Sequence, residues 1–332
     1  MIAPDAQLLW TQPDWLTQAT AWIDAALERQ GIRARGPIEQ SHVRPWSTVL
    51  RVPTRDGDLY FKALPPALAH EVAITHALAR WRPYCMPRVL AADTQRGWML
   101  MTDAGTRLRS ILQFAHDLRH WQRVLPLYAE LQIELSNRVD QLLALGAPDR
   151  RLAAIPTRYE QLLDDADLMR VDRSPGLAAE EYERLRDLAP RLAATCAQLA
   201  DYAIPASLNH GDLHDGNIFV HEGRYIFFDW GDASAAHPFF SLRTVMVSVE
   251  NSLGLEAPAR EQLRDLYLES WARYGSPANL RAAFTLAQQL WAISSALAWQ
   301  TALTDAPASF REPYAEYVPA LLRELLESQT AL

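Results

Sequence analysis

Apolar residues in about the first hundred positions alternate between short strand-like and helical patterns. Tryptophans and alanines recur at the spacing of one helical face in residues 13–30, which begin with a proline and precede Gly31. Apolar, β-branched runs on both sides of Gly57 predict a β-hairpin within residues 36–63, with the glycine supplying the positive φ of the turn. A helix over 66–81 and two short strands, "RVLAAD" and "GWMLMT", complete a small antiparallel sheet with helices.

Helical periodicity dominates the rest of the chain. It recurs in segments separated by glycine and proline: 119–145, 156–169, 178–202, 257–273, 278–303 and 312–329. The exception is 206–229, where "NIFVHEGRYIFFD" predicts a second hairpin about Glu222 and Gly223. We therefore expect an α+β, bilobal chain, with an antiparallel-sheet N-lobe over 1–103 and a large, mainly helical C-lobe over 104–332. A cleft between unequal lobes is a usual place for a ligand.

Composition narrows the possible partners and compartment. The net charge of −8 argues against nucleic acid as a partner, because phosphate binding needs a basic surface. No apolar run is long enough to span a bilayer, and residues 1–16 lack a basic segment followed by an apolar one, so we expect no membrane span and no secretory signal. The two cysteines, Cys85 and Cys196, are too few for a disulfide framework. These features predict a cytoplasmic protein and do not indicate its oligomeric state.

Polar residues crowd both ends of the second predicted hairpin, as "HGDLHDGN" (210–217) before it and "DWGD" (229–232) after it. Because a tight hairpin brings its ends together, Asn217 and Asp229 are expected side by side, as an amide and a carboxylate oxygen suited to Mg²⁺. Asp212 lies on the same loop as Asn217 and would accept or orient the proton of an attacking hydroxyl. A base and two metal ligands are the groups that phosphoryl transfer needs. The alternative is that these are ordinary turn residues.

The groups that bind phosphate are expected in the N-lobe. Lys62 ends the predicted strand "LYFK" in a chain whose positive charge comes almost entirely from arginine, and a compact ammonium suits phosphate as a point charge. Glu71 lies on the next predicted helix and is the candidate to hold this lysine. The alternatives are an exposed charge at the end of a strand for Lys62 and a solvated helix face for Glu71.

The segments "HGDLHDGN" and "FFDWGDAS" resemble the catalytic and metal-binding segments of the aminoglycoside phosphotransferase and choline kinase superfamily. These proteins are ATP-dependent small-molecule kinases with a protein-kinase-like fold. The family pattern H-G-D-x-H-x-x-N is matched at His210, Gly211, Asp212, His214 and Asn217. The order of elements agrees over nearly the whole chain, although the specific motifs cover only a small part of it.

The resemblance implies a role for each residue of the candidate site. Asp212 would be the catalytic base, and Asn217 and Asp229 would bind Mg²⁺. Lys62, paired with Glu71, would reach the phosphates of ATP. The cofactors implied are thus ATP and Mg²⁺, and the partner is a small molecule that carries a hydroxyl group.

The resemblance also implies where the nucleotide lies. The segment "MLMTDAG" is similar to the family's interlobe hinge, so backbone groups around Thr102 and Ala104 would bind the adenine edge and Met101 would line the pocket. The segment "HVRPWSTVL" has no glycine to form a phosphate-covering loop, and backbone amides near Ser47 and Thr48 would take that part.

Further residues of the two polar segments have less specific roles. His210 and His214 are expected to support the catalytic loop, chiefly by packing and hydrogen bonding. Asp215 and Asp232 are possible substrate-side groups, with solvated loop acids as the alternative. Ser241 stands where many relatives have an aspartate that braces the catalytic loop, so the brace is expected from elsewhere. The spacing of nine between the lysine and its glutamate also departs from the family, which leaves that pairing open.

Two other functions remain alternatives at this point. A protein kinase is disfavoured because His214 stands where protein kinases usually have lysine, and because little chain follows Asp229 before the next helix. A non-catalytic nucleotide-binding module is disfavoured because base, metal ligands and lysine are all retained. The sequence does not identify the acceptor among aminoglycoside-like antibiotics, choline, homoserine and sugars, nor the preference between ATP and GTP.

Overall fold

The computed structural model of the chain describes residues 8–115, 117–254 and 257–330. Residues 1–7, which begin the segment where the sequence predicts no secretory signal, lie outside the described residues. The fold is mixed α/β, with an antiparallel sheet in the N-terminal region and mainly helices in the C-terminal part, so the predicted fold class is confirmed. No helix within the described ranges is long and apolar enough to cross a membrane.

Strands and helices follow one another in this order along the chain. The strands are β1 Glu39–Arg44, β2 Ser47–Thr54, β3 Gly57–Ala63, β4 Val89–Asp93, β5 Trp98–Thr102, β6 Thr106–Arg107, β7 Asp149–Arg150, β8 Ser207–Asn209, β9 Ile218–His221, β10 Arg224–Phe227 and β11 Ser234–Ala236. The α-helices are α1 Pro13–Gln30, α2 His70–Trp81, α3 Leu108–Ala115, α4 Arg119–Leu135, α5 Val139–Ala144, α6 Ile155–Leu163, α7 Ala166–Met169, α8 Ala179–Ala200, α9 Ser241–Leu253, α10 Ala257–Glu269, α11 Pro277–Leu303, α12 Ala308–Arg311 and α13 Tyr317–Thr330.

The chain divides into two compact units. Unit 1 comprises Met1–Gly105, His221–Gly231 and Thr301–Tyr314, and unit 2 comprises Thr106–Val220, Asp232–Gln300 and Ala315–Leu332. The chain therefore passes between the units more than once, and the second predicted hairpin contributes residues to both. The predicted division between residues 103 and 104 stays a prediction of the domain organisation.

The core of unit 1 lies between helix α1 and an antiparallel sheet of strand order β1-β2-β3-β5-β4. The tryptophan stripe of α1 packs on this sheet, with the Trp22 ring 5.5 Å from Phe61 and the Trp15 ring 5.9 Å from Trp98. Tilted and edge-to-face aromatic contacts of this kind add to the stability that area burial provides. The tryptophans therefore form a core, as the sequence predicts, and β3 lies at the centre of the sheet.

Two turns of unit 1 position residues of the candidate site. Gly57 has a φ of +116°, which only glycine adopts readily, and it opens β3 opposite the end of β2. The chain then leaves β3 through Pro65 and a short 3-10 turn, Pro66–Leu68, so helix α2 begins at His70 rather than at residue 66. This turn brings the first residues of α2 back towards the strand.

Unit 2 is mainly helical and carries a small sheet of strand order β7-β11-β8. The polar loop 210–217 follows β8 directly and leads into β9, which pairs with β6. Predicted helices are broken in two places, because 119–145 is interrupted by a 3-10 turn at Ser136–Arg138 and 156–169 is interrupted between α6 and α7. Helices α3 and α9 were not predicted, and both lie beside the polar loop.

Candidate active site

Lys62 lies near the end of the central strand β3 and is the only lysine of the chain. Its Nζ donates hydrogen bonds to both carboxylate oxygens of Glu71, at 2.7 and 2.8 Å, and to Oδ1 of Asp229 at 2.6 Å. An ammonium group has three N–H donors, so the three bonds use all of them. The structure thus brings together Lys62, Glu71 and Asp229, and the spacing of nine suffices because the 3-10 turn folds α2 back onto β3.

Lys62 and Glu71 of this cluster are buried, and the three side chains together carry an excess of negative charge. The relative exposure of Lys62 is 6% and that of Glu71 is 1%. Burial by itself lowers the pKa of Lys62, but the charges of Asp229 and Glu71 outweigh it, so that the lysine pKa is raised and the ammonium stays charged. Burial raises the pKa of Glu71, and the nearby ammonium opposes that rise. Two carboxylates beside one ammonium make a place where a further cation is favourable.

Asp229 has a backbone conformation that is unusual for a residue with a side chain. Its φ is +63°, in the left-handed region, and it follows strand β10 by two residues. Such conformations cost free energy and are found preferentially at functional sites. The Asp229 side chain remains half exposed although its Oδ1 accepts from Lys62. A strained turn thus holds this carboxylate at the surface of unit 1.

Asp212 is held by two donors of its own loop. Its Oδ2 lies 3.1 Å from Nδ2 of Asn217 and 3.3 Å from Nε2 of His214. Nδ1 of His214 accepts the N–H of Gly216 at 2.9 Å, so we assign the imidazole proton to Nε2, from which it is donated to Asp212. Burial lowers the pKa of His214, but the Asp212 carboxylate outweighs it and raises that pKa. The Asp212 side chain nevertheless stays 43% exposed, so a substrate has access to it.

A chain of hydrogen bonds fixes the start of the loop. The N–H of His210 donates to the Tyr128 hydroxyl at 3.0 Å, that hydroxyl lies 2.7 Å from Oγ of Ser241, and Ser241 donates to Oδ1 of Asn209 at 2.6 Å. All four residues are buried. Ser241 therefore takes part in the brace itself, together with Tyr128, although the brace was expected from other residues. A neutral hydrogen-bond network stands where many relatives have a charged aspartate.

His210 and Gly211 complete the support of Asp212. The His210 side chain is fully buried, and its Nδ1 lies 3.3 Å from the backbone nitrogen of Asp212. Gly211 has a φ of +82°, and a Cβ there would lie 2.5 Å from the carbonyl oxygen of Asp232. No side chain fits at this position, which explains why the loop needs glycine directly before Asp212.

The chemistry of Asn217 and Asp229 fits a magnesium ion. Nδ2 of Asn217 donates to the carbonyl and to Oδ2 of Asp212, at 3.0 and 3.1 Å, so both of its N–H groups are used within the loop and the amide oxygen is left to face a cation. An amide oxygen and a carboxylate are ligands that Mg²⁺ prefers. Asp229 belongs to unit 1 and Asn217 to unit 2, and a metal site that combines them stays a prediction.

The residues predicted to surround the nucleotide are placed as follows. Ser47 and Thr48 lie in strand β2 and are buried, while the preceding turn consists of Pro45 and Trp46. Met101 and Thr102 end strand β5, and the Thr102 N–H already donates to the Arg88 carbonyl at 3.1 Å. Contact of adenine with the backbone of Thr102 and Ala104 stays a prediction.

The two possible substrate-side acids differ in their surroundings. Asp215 is fully buried, and its Oδ1 accepts from Nε of Arg109 at 2.8 Å, so it is not a solvated loop acid. Asp232 is partly buried, its carbonyl oxygen lies 3.4 Å from Nη1 of the buried Arg150, and its negative charge raises the pKa of that arginine against the larger, lowering effect of burial. Arg109 and Tyr128 are not predicted as site residues, because both reach the loop from helices that are distant in sequence.

Comparison with known proteins settles the family. Residues 41–281 match the model of the phosphotransferase enzyme family. The chain belongs to that family. The predicted resemblance and the predicted enzyme class, a phosphotransferase with a hydroxyl group as acceptor, are confirmed. No curated protein sequence matches the chain.

Solved structures share the fold of this phosphotransferase at low sequence identity. An ethanolamine kinase of Plasmodium vivax is 11% identical with a TM-score of 0.65, and the match covers 96% of this chain and 89% of that one. Choline kinase LicA from Streptococcus pneumoniae is 11% identical with a TM-score of 0.59, over 95% and 100% of the chains. The macrolide 2'-phosphotransferase MphH from Brachybacterium faecium is 18% identical with a TM-score of 0.55, over 90% and 97%. At these identities the likeness concerns the fold.

Proposed function

We propose that the enzyme transfers the γ-phosphoryl group of ATP to a hydroxyl group of a small molecule, in a reaction that depends on Mg²⁺. The observation that carries this proposal is the orientation and exposure of the Asp212 carboxylate. Two loop donors orient its carboxylate, at 3.1 and 3.3 Å, while 43% of the side chain stays exposed. A carboxylate that is both oriented and open to solvent suits the acceptance of a proton from an incoming hydroxyl.

Asp212 would position the acceptor hydroxyl and take its proton as the phosphorus–oxygen bond forms. Phosphoryl transfer needs little covalent help from a protein, so placement and electrostatic stabilisation account for most of the catalysis. Asn217 and Asp229 would hold Mg²⁺, which when bound neutralises charge on the phosphates. His214 and Asn217 keep the Asp212 carboxylate in one orientation, and the buried network behind His210 keeps the loop in place.

Lys62 would bind the phosphates of ATP. All three of its N–H donors point at carboxylates, so contact with a phosphate requires that one bond be exchanged. The bond to Asp229 is the one to exchange, because Glu71 is buried and bidentate whereas Asp229 is half exposed. Glu71 would then hold the ammonium in position throughout.

The acceptor belongs to the small hydroxyl compounds. The structurally similar proteins are named as an ethanolamine kinase, a choline kinase and a macrolide 2'-phosphotransferase, and ethanolamine, choline and macrolides all carry hydroxyl groups. The protein-kinase alternative has no comparable support, since His214 stands at the position of the usual lysine and the chain's one lysine is Lys62.

An acceptor screen tests the proposal. ATP or GTP consumption is measured with amino alcohols, aminoglycosides, macrolides, sugars, hydroxy acids and a generic protein substrate, and the Asp212→Asn variant serves as the blank. We expect at least one small hydroxyl compound to stimulate consumption in the wild type and not in the variant, with the phosphorylated product identified by mass spectrometry. Incorporation of phosphate into protein alone, or binding of Mg·ATP without turnover of any compound, would contradict the proposal.

A further inference from the structure

A cavity of about 550 Å³ adjoins the catalytic loop within unit 2. Its walls come from helices α3 and α9, neither of which was predicted from periodicity, and from the loop itself. His214, whose Nε2 lies 3.3 Å from Asp212, is one of its lining residues. A molecule in this cavity would therefore contact His214, whose other ring nitrogen faces the residue proposed to receive the acceptor hydroxyl.

The cavity exists because small polar side chains occupy a helix face that would otherwise be filled by large apolar ones. Thr244, Ser248 and Asn251 recur at the spacing of one face of α9 and line the cavity. Arg109 and Gln113, four residues apart on α3, line it from the other side. The lining, which also includes Val247, offers hydroxyl, amide and guanidinium groups to a ligand.

Asp215 presents no carboxylate oxygen to this cavity. It is fully buried, its Oδ1 accepts from Nε of Arg109 at 2.8 Å, and its Oδ2 accepts from the Ser252 hydroxyl. Its backbone N–H donates to Oγ of Ser248 at 3.1 Å. A buried carboxylate in this environment holds an arginine in place, because its own hydrogen-bonding capacity is used within the protein.

Arg109 is fixed at one edge of its guanidinium group and open at the other. Its Nε is bound to Asp215, its Nη2 lies 3.3 Å from Nδ1 of His214, and 51% of the side chain is exposed. Within residues 8–115, 117–254 and 257–330, its Nη1 has no hydrogen-bond partner. Gly216 permits this approach, since a Cβ there would lie 3.1 Å from Cζ of the arginine.

We propose that this cavity binds an oxyanion, a carboxylate or a phosphate ester, carried by the acceptor molecule, and that Arg109 is the residue that recognises it. The proposal rests on the proposed function and narrows its substrate class. Among the lining residues that the structure describes, Arg109 presents its charge to a ligand. Asp215 does not, because it is buried and both of its carboxylate oxygens accept hydrogen bonds within the protein. A planar guanidinium held by a buried carboxylate suits recognition of an oxyanion, whereas an ammonium group would find no acceptor on it.

Matched acceptors distinguish the charge classes. Glycerate and glycerol 3-phosphate carry a carboxylate or a phosphate beside a hydroxyl, glycerol is their neutral counterpart, and choline and kanamycin are cationic. With ATP and Mg²⁺, we expect kcat/KM to be highest for a compound of the oxyanion class, and comparison of the first two compounds separates carboxylate from phosphate. A higher kcat/KM for glycerol, choline or kanamycin would overturn the inference and leave the proposed function standing.

A variant that adds a carboxylate to the cavity tests the site without disturbing the buried pair. Asn251→Asp places a negative charge on the α9 wall, while Asn279→Asp, on the exposed start of α11, adds the same charge elsewhere. We expect Asn251→Asp to weaken oxyanion binding roughly tenfold or more, because the added carboxylate repels the ligand and competes with it for Arg109. Asn279→Asp should bind as the wild type does.

Calorimetry of glycerol 3-phosphate and glycerate binding provides a readout that does not require turnover. If neither binds, or if Asn251→Asp and Asn279→Asp weaken binding equally, the inference is wrong even where phosphoryl transfer to another class is observed. If an oxyanion binds and Asn251→Asp weakens it but no compound is phosphorylated, the inference about the cavity holds and the proposed function fails. The two ideas are therefore contradicted by different results.

Discussion

Lys62 donates a 2.6 Å hydrogen bond to Asp229, in addition to its two bonds to Glu71. A residue proposed to bind phosphate and a residue proposed to bind metal are thus paired with each other. The hydrogen bond from Lys62 occupies one oxygen of the half-exposed Asp229 carboxylate. If Lys62 exchanged this bond for one to a phosphate oxygen, Asp229 would become available to bind the metal. The Lys62 ammonium group can be observed selectively by isotope labelling, because this lysine is the only one in the chain.

Protein labelled with 15N-lysine should give one side-chain Nζ signal. Because the carboxylates raise the pKa of Lys62, we expect this signal to be that of a charged, hydrogen-bonded ammonium at neutral and mildly alkaline pH. Mg·ATP should shift the signal, as the bond to Asp229 is exchanged for one to phosphate. Asp229→Asn should shift it without nucleotide. A signal that saturating Mg·ATP leaves unchanged would contradict the exchange.

The brace behind the catalytic loop predicts the effect of removing one hydroxyl. Tyr128→Phe removes the 3.0 Å acceptor of the buried His210 N–H and leaves Oγ of Ser241, at 3.4 Å, which should cost about 1 kcal/mol of stability and reduce kcat by loosening the loop. Tyr159→Phe is the matched control, since it removes an equally buried hydroxyl that donates to the Leu185 carbonyl at 2.8 Å. Urea unfolding and steady-state kinetics should show both variants destabilised and only the first impaired in kcat. Equal kcat values would show that the network has no part in positioning.

Alanine substitutions at two glycines with similar φ values distinguish the effect of backbone strain from that of steric crowding. Gly211→Ala would put a Cβ 2.5 Å from the Asp232 carbonyl oxygen, whereas Gly223→Ala, in the turn after β9, meets nothing within 4 Å. The positive φ costs each variant about 1 kcal/mol. We expect Gly223→Ala to keep full kcat after this loss, and Gly211→Ala to lose both further stability and nearly all activity. Similar kinetics in the two variants would contradict the packing described around Asp212.

The buried side chain of His237 should make the free energy of unfolding depend on pH. Burial lowers the pKa of this histidine to about 3, far below its ordinary value of 6.5. Between these values the unfolded chain binds a proton that the folded protein does not, so stability falls as the pH drops below 6.5, by up to about 1.4 kcal/mol per pH unit. His237→Asn keeps an acceptor for the N–H of Phe239 but has no proton to gain. Unfolding measured between pH 5 and pH 7 should give a smaller slope for this variant, and an equal slope would show that His237 does not contribute.

Much of the fold is predictable where local patterns decide it. Helix α1 begins at Pro13 and ends at Gln30 as predicted, because a proline start, an apolar stripe and a glycine stop all agree. The prediction of a turn at Gly57 is likewise confirmed, since a positive φ selects glycine there.

The parts that sequence analysis missed depend on contacts across the chain. Helix α9 escaped prediction because Thr244, Ser248 and Asn251 interrupt its apolar periodicity, and these same residues line the cavity. The brace joins Tyr128 to Ser241, which are 113 residues apart, and no local pattern reports such a bond. Residues that interrupt the apolar periodicity of a helix, such as these three of α9, weaken the local pattern from which the helix is predicted.

The role of Asp212 is the central claim, and one substitution tests it most directly. Asp212→Asn keeps the size of the side chain but removes the charge that accepts the hydroxyl proton. With the acceptor identified in the screen, we expect phosphoryl transfer to fall by roughly a hundredfold to ten-thousandfold, while the calorimetric affinity for Mg·ATP changes by less than about threefold. Transfer at the wild-type rate in this variant would contradict the account of the active site.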